Sequence, residues 1–190
     1  MTARVVVLYY SRNGATLQLA DAIAEGLASV GAEAVMRTVA SAGEPASQRD
    51  MTISLQDLEQ CDGLIMGSPT RFGHMASALQ QFWETSSSSW LRGVLVDKPA
   101  AVFTSSSSMH GGQESTLLSM MVPLLHHGML VLGIPYTVPA IQTTAAGGTP
   151  YGASHVEHAA GKQLSQDERS AAKALGARVG QLALSLQSRS

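Results

Sequence analysis

Three segments of the chain combine small hydroxyl residues and glycine with a cation or an aromatic ring. The first covers residues 11–16 (SRNGAT) and separates a β-branched run from an apolar helical pattern. Hydroxyl groups and the N–H groups at a helix N-terminus bind anions, so this segment could hold a phosphate. An ordinary turn in which Thr16 caps the helix explains the same residues equally well.

The other two segments could contact a flat ring. Residues 69–74 (PTRFGH) present Phe72 beside Arg71 in a turn that begins with proline. Taken alone, this turn is explained more simply by Phe72 packing into the core. Residues 105–112 (SSSSMHGG) are small enough for a ligand to approach the backbone closely, although a plain serine-rich turn has the same composition.

Each of the three segments follows a predicted strand. Hydrophobic runs predict five strands, and apolar residues at helical spacing predict helices between them. The strands are expected at residues 4–10, 34–38, 64–67, 99–104 and 128–132. This alternation predicts an α/β fold with a doubly wound parallel sheet, and we expect residues 1–190 to form a single domain. Ligands of such folds bind at the carboxyl ends of the strands, so the three segments should share one site.

Composition and cysteine content exclude several classes of protein. The chain has 12 basic and 14 acidic residues and lacks the basic surface typical of nucleic-acid binding. Its single cysteine, Cys61, rules out an intramolecular disulfide and is expected to be a buried apolar residue. Neither a GxGxxG nor a GxxxxGK[ST] motif occurs, and no apolar run reaches the roughly 20 residues of a membrane span. We therefore expect a cytoplasmic protein without membrane insertion.

The last third of the chain begins with a long irregular segment. Residues 133–161 are rich in Gly, Pro, Thr and Ala and are predicted to form a loop with a functional or interfacial role. Within it, His155 and His158 could be metal ligands, but no Cys or Asp supports them. A solvated loop is the favoured interpretation, and we predict no metal site. Ser165 and Glu168 then form a capping box that predicts a final helix.

Six spaced segments resemble the WrbA-type NAD(P)H:quinone oxidoreductases, a family first named tryptophan-repressor-binding proteins. The matching segments extend nearly from end to end: VVVLYYS, SPTRFG, Trp90, HGGQE, HHGM and GGTPYGA. The resemblance implies a flavodoxin-like five-stranded sheet of order 2-1-3-4-5 with helices on both faces. It also implies FMN as the cofactor and FMN-dependent two-electron reduction of quinones by NADH or NADPH.

The same resemblance assigns roles to individual residues. Flavin N5 would carry the hydride, so no catalytic side chain is expected, and one shared flavin face predicts ping-pong turnover. The implied cofactor-binding residues are Ser11, Arg12, Asn13, Gly14, Ala15, Thr16, Pro69, Thr70, Arg71, Phe72, Gly73, Ser105, Ser106, Ser107, Ser108, Met109, His110, Gly111 and His126. Trp90 and Asn13 are the implied substrate-binding residues. The family often has tyrosine at the position of Asn13 and a glycine-rich third segment, so this chain departs from the pattern at both places.

Two other functions remain open, together with the assembly. The chain could be a flavodoxin-like one-electron carrier or a flavin-binding interaction protein. Carriers tend to have acidic docking surfaces, whereas the net charge here is only −2. The family forms tetramers, and Trp90, the linker-like serine tract at 86–89 and the segment 133–161 exceed what a five-stranded core requires. We therefore predict a homotetramer.

Overall fold

A parallel β-sheet forms the centre of the molecule in a computed structural model, which describes residues 2–43, 47–157 and 163–188. The strands along its main path are β1 (Arg4–Tyr9), β2 (Glu33–Thr38), β3 (Gly63–Pro69), β4 (Pro99–Ser106) and β5 (Leu130–Val131). They are ordered β2-β1-β3-β4-β5, and each neighbouring pair is parallel. The predicted flavodoxin-like sheet of order 2-1-3-4-5 is therefore confirmed.

A sixth strand corrects the prediction of a continuous loop at residues 133–161. Strand β6 (Ala153–Val156) pairs in parallel with residues 103–106 of β4. Because β5 pairs with Pro99 and Ala100, the two short strands follow one another along the same edge of β4. All four residues of β6 are buried, so it lacks the alternation of polar and apolar residues by which a strand is predicted.

Seven helices lie within the described part of the chain and cover both faces of the sheet. They are α1 (Ala15–Ser29), α2 (Leu55–Gln60), α3 (Ser77–Thr85), α4 (Ser87–Leu91), α5 (Gln113–His126), α6 (Pro139–Thr143) and α7 (Gln166–Gln187). Alternate residues of β1 separate two cores: Val5 and Val7 pack with α1 and α7, whereas Val6 and Leu8 pack with α2, α3 and α5. None of the helices in the described ranges is long and apolar enough to cross a bilayer.

Helices α1 and α7 approach each other through glycines. A Cβ atom added at Gly26 would lie 2.1 Å from the carbonyl oxygen of Lys173. One added at Gly176 would lie 2.2 Å from the carbonyl oxygen of Ile23. Backbones can approach this closely only where side chains are absent. The contact fixes α1, whose N-terminus faces the carboxyl edge of the sheet.

The composition of the serine tract at 86–89 is typical of a linker, but the tract is not one. Residues 87–91 form α4, and both Ser86 and Ser89 are buried. The Ser86 hydroxyl donates to the carbonyl oxygen of Trp83 at 2.7 Å and lies 3.0 Å from Nε2 of His127. These contacts satisfy Ser86, whereas Ser89 Oγ has no partner among the described residues, and composition alone reveals neither arrangement. Cys61 is buried, as predicted.

Candidate functional site

The loops that follow β1, β3 and β4 meet at the carboxyl edge of the sheet. They enclose a cavity of about 200 Å³, which we call the strand-exit cavity. Its lining residues are Ser11, Arg12, Asn13, Ala15, Thr16, Pro69, Thr70, Arg71, Ser105, Ser106, Ser107 and Glu157. The structure thus brings parts of all three predicted segments together. Glu157 was missed because it follows β6, which the sequence did not indicate.

The N-terminus of α1 opens into the strand-exit cavity, and its N-cap residue has no side chain that could cap it. Gly14 is the N-cap residue, with φ of 89°, and no side chain there accepts a hydrogen bond. Thr16 does not cap the helix; it is buried, and its Oγ1 lies 2.8 Å from Oγ of Ser105. Ser11 Oγ accepts a hydrogen bond from the N–H of Leu17 at 3.3 Å. Because Ser11 already accepts from Leu17, the other N–H groups of the first turn are the ones suited to an anion.

Charge and hydroxyl groups favour the same ligand. Two arginines, Arg12 and Arg71, line the cavity together with one glutamate, Glu157, which leaves its lining with a net positive formal charge. Arginine binds phosphate oxygens well because its N–H groups form a planar fork. A small cavity with hydroxyls, cations and a helix N-terminus has the chemistry of a phosphate site.

Direct contacts hold the second and third loops against each other. The N–H of Thr70 donates to the carbonyl oxygen of Ser105 at 2.7 Å. Thr116, in the first turn of α5, donates its hydroxyl to Thr70 Oγ1 at 3.2 Å. A Cβ atom at Gly112 would lie only 3.1 Å from Cα of Gly73. The two loops therefore form one rim beside the cavity.

Phe72 stands exposed on this rim. Arg71 and His74 exchange backbone hydrogen bonds of 2.9 and 3.0 Å, which closes a tight turn around Phe72. The ring is fully exposed, so the interpretation that it packs into the core is wrong. Its φ of 51° is uncommon for a bulky residue, and such strain is concentrated at functional sites. His110, on the third loop, is the other strained non-glycine residue of the rim, with φ of 57°.

Several predicted residues lie outside the strand-exit cavity. Gly14, Phe72, Gly73 and residues 108–111 adjoin it in the chain but do not line it. Trp90 and His126 line a different cavity of about 360 Å³, which we call the Trp90 cavity. There Trp90 Nε1 donates to the carbonyl oxygen of His126 at 2.8 Å. A single chain therefore does not bring these two residues to the strand-exit cavity.

A third cavity adjoins the strand-exit cavity through Arg71, which lines both. It has a volume of about 530 Å³, and Tyr10, His74 and Gln80 are among its lining residues. We call it the Tyr10 cavity. Tyr10 was predicted only as the end of a strand, because an aromatic residue at a strand end gives no sign of the space beside it.

His155 is buried, which corrects its prediction as part of a solvated loop. It lies in β6, and its Nδ1 is 3.0 Å from Oε2 of Glu168. Glu168 also accepts hydrogen bonds from the N–H groups of Gly147, Val156 and Ser165. Its bond from Ser165 confirms the predicted capping box. The second candidate metal ligand, His158, lies outside the described residues.

The hydrogen bonds to Glu168 stabilise its charged form. Burial alone would raise the pKa of Glu168, but the bonds from His155 and from the N–H groups of Ser165 and Val156 outweigh it and lower the pKa to about 2. The side chain is therefore a carboxylate at neutral pH. The sequence identified Glu168 only as half of a capping box, so its contact with His155 could not be foreseen.

Comparison with known proteins identifies the family. Residues 3–142 match the family model described as NADPH-dependent FMN reductase. The chain belongs to this family. Its members act on FMN with NADPH, so the chain is an oxidoreductase that binds FMN. The strand-exit cavity fits this ligand, since FMN carries one phosphate and the cavity offers hydroxyls, arginines and the N-terminus of a helix.

Similar proteins extend over nearly the whole chain. A protein of Rhizobium rhizogenes named NAD(P)H dehydrogenase (quinone) is 42% identical in an alignment of 196 positions that covers 97% of this chain and 98% of the relative. A protein of the same name from Chromohalobacter salexigens is 39% identical, with 97% and 98% covered. Among solved structures, a flavodoxin, WrbA-like protein from Agrobacterium tumefaciens has a TM-score of 0.70 at 24% identity and covers 97% of this chain and 99% of its own. That structure supports the same fold.

Proposed function

We propose that this protein reduces quinones with electron pairs from NADH or NADPH, using one FMN at the carboxyl edge of the sheet. The observation that carries the proposal is the strand-exit cavity, where three loops join a helix N-terminus, hydroxyls and arginines. The two relatives named NAD(P)H dehydrogenase (quinone), at 39% and 42% identity, support this pair of substrates.

The strand-exit cavity holds the phosphate end of FMN. Its volume of about 200 Å³ is below the ~300–1,000 Å³ of clefts that enclose a whole drug-sized ligand. The ring system therefore extends onto the rim, where Phe72, Met109 and His110 are exposed or strained. Gly73, Ser108 and Gly111, also predicted as cofactor residues, belong to the two loops that form this rim, whereas Gly14 belongs to the first loop.

The protein's own contribution is to bind and orient. Bound FMN supplies the redox chemistry, since its N5 accepts and donates a hydride. The Tyr10 cavity, at about 530 Å³, is large enough for a nicotinamide or a quinone ring, and Arg71 connects it to the phosphate site. Because one pocket serves both substrates in turn, the kinetics are ping-pong and no side-chain nucleophile is required.

A homotetramer completes the substrate site. Leu118, Val122 and Leu125 form an exposed apolar stripe on α5, close in the chain to His126. Trp90 is also 48% exposed. Large apolar side chains in such numbers on a surface are typical of subunit contacts. In the assembly, Trp90 and His126 close a flavin pocket from their own or a neighbouring subunit.

Cofactor titration followed by steady-state kinetics tests the proposal. The apoprotein should bind FMN more tightly than FAD, because the chain offers one phosphate site and no dinucleotide motif. With FMN bound, NADH or NADPH should reduce benzoquinone, and double-reciprocal plots should give parallel lines. Equal affinity for the two flavins, or no quinone reduction by the FMN-loaded protein, would contradict the proposal. Intersecting lines would contradict the ping-pong scheme alone.

A further inference from the structure

His155 lies on the same face of the sheet as the hydroxyls of the strand-exit cavity. The register of β4 and β6 pairs Ser105 with His155. Partners in a parallel ladder direct their side chains to the same face, and both contacts agree with this. Ser105 Oγ is 2.8 Å from Thr16 Oγ1 on α1, and His155 Nδ1 is 3.0 Å from Glu168 on α7. Helices α1 and α7 pack together over that face.

The carboxylate of Glu168 fixes the state of the imidazole. A carboxylate can only accept hydrogen bonds, so Nδ1 of His155 must carry the proton that the two groups share. Four donors, three of them backbone N–H groups, already surround Glu168. The imidazole is therefore anchored at one edge of its ring, and the other edge carries Nε2.

Nε2 of His155 is a buried polar atom with no partner among the residues that the structure describes. The side chain is only 1% exposed, so solvent does not replace a partner. Burying a polar nitrogen in this way costs free energy unless a ligand or another group satisfies it. His155 does not itself line the strand-exit cavity, but its register partner Ser105 does.

We infer that His155, anchored by Glu168 through its Nδ1–H, also carries a proton on Nε2 and donates that N–H to a phosphate oxygen of FMN, next to the hydroxyls of Thr16 and Ser105. The inference rests on the proposed placement of the phosphate in the strand-exit cavity. It gives β6 a functional role, because this strand brings the imidazole beside Ser105 and is followed at once by Glu157 of the cavity wall. His155 thereby helps the protein to distinguish FMN from a flavin without phosphate.

The variant His155→Asn tests the role of Nε2 separately from that of Nδ1. The asparagine amide can replace Nδ1 as the donor to Glu168, but nothing replaces Nε2. We expect the Kd for FMN to rise about tenfold, while the Kd for riboflavin, which lacks the phosphate, changes by less than about twofold. Quenching of flavin fluorescence measures both constants. Equal weakening of both flavins, or no weakening of either, would overturn the inference.

Two controls complete the experiment. Ser154→Ala removes a buried hydroxyl that accepts from the N–H of Gly148 at 2.7 Å, one residue along β6 and on its opposite face. This variant should keep the wild-type preference for FMN over riboflavin, and a lost preference would overturn the inference. His155→Gln, whose amide reaches the position of Nε2, should restore part of the preference that His155→Asn loses, and no restoration would count against Nε2.

Wild-type protein supplies a readout that does not depend on folding of the variants. In protein with nitrogen-labelled histidine, the Nε2 resonance of His155 should shift on addition of FMN and stay in place with riboflavin. If the Nε2 resonance does not shift on addition of FMN, the inference is overturned. If wild-type protein binds both flavins equally, the phosphate site itself is wrong; if it prefers FMN and His155→Asn keeps that preference, only the role of His155 is wrong.

Discussion

Two buried hydroxyls can donate hydrogen bonds to an anion in the strand-exit cavity. Thr16 and Ser105 lie 2.8 Å apart, and both are at most 4% exposed. Each hydroxyl has one proton and two lone pairs, so the pair can turn its protons toward a phosphate. Because Thr16 is in the first turn of α1, its hydroxyl adds to the N–H groups of the helix N-terminus.

Replacing Thr16 by valine should weaken FMN binding without unfolding the protein. Valine keeps the shape of threonine but leaves a phosphate oxygen and Ser105 without a partner, at a cost of about 1–3 kcal/mol, or roughly 5- to 150-fold in Kd. Fluorescence titration of the apoprotein measures the change. Thr85→Val, at an exposed helix end far from the loops, is the matched control. Wild-type affinity in Thr16→Val would place the phosphate elsewhere.

The residues of the site could be predicted in part from their loops. The first two segments and the serines of the third were recognisable, because hydroxyls and glycine directly after a strand indicate a ligand loop. The exposure of Phe72 could not be recognised from the sequence, because an aromatic residue gives no sign that it occupies a tight turn with positive φ. His155 and Glu168 were separated into a loop and a helix cap, and only the pairing of β6 with β4 brings them beside the site.

Helices α1 and α7 depend on glycine at their contact. We expect Gly176→Ala to lower the free energy of unfolding by about 2 kcal/mol, although alanine is the better helix former by about 1 kcal/mol. The added Cβ would lie 2.2 Å from the carbonyl oxygen of Ile23, and backbone cannot move aside as a side chain can. Urea unfolding measures the change.

Gly180→Ala is the matched control on the same helix. The three atoms nearest to its Cβ would be side-chain atoms of Val30, Ala32 and Leu27, at 2.9–3.1 Å. The methyl groups of Val30 and Leu27 can shift, and Ala32 has to give way by only a few tenths of an ångström, so the gain in helix propensity should offset most of the cost. If Gly176→Ala proved as stable as Gly180→Ala, the close approach of α1 and α7 would be wrong.

Glu168 connects α7, β6 and the Gly147 turn, and this connection depends on pH. Its pKa is lowered from 4.5 to about 2, so the native state gains stability at pH values above 4.5 and loses it as the pH falls from 4.5 toward 2. The full effect is on the order of 3 kcal/mol. We expect Glu168→Gln to remove this part of the acid sensitivity, measured by urea unfolding at several pH values. Asp167→Asn, at the neighbouring position, which is only partly buried, should leave the slope unchanged.

The order of the main strands followed from the family resemblance, and most element positions followed from hydrophobic periodicity. The elements that were not predicted are those that lack hydrophobic periodicity. Strand β6 is four buried residues long, and α4 consists largely of serines. Both elements are stabilised by contacts distant in sequence, β6 by β4 and α4 by His127, which no local pattern encodes.

At the scale of the whole molecule, the exposed stripe of α5 predicts assembly. Val122→Glu puts a charge at the centre of the stripe formed with Leu118 and Leu125. We expect this variant to form smaller species than the wild type in light scattering, and to lose quinone reductase activity more than FMN affinity. Gln181→Glu, which adds a charge at an exposed position of α7, should leave the assembly intact. A fully active wild-type monomer at micromolar concentration would contradict the assembly.

Electron transfer through one bound flavin is the central claim, and anaerobic mixing of the FMN-loaded protein with its substrates tests it most directly. Addition of NADPH or NADH should bleach the flavin absorbance in a single step. Subsequent addition of benzoquinone should restore it fully, with one quinone consumed for each flavin. The claim would be contradicted if neither NADH nor NADPH reduced the flavin. It would also be contradicted if benzoquinone did not reoxidise the reduced flavin.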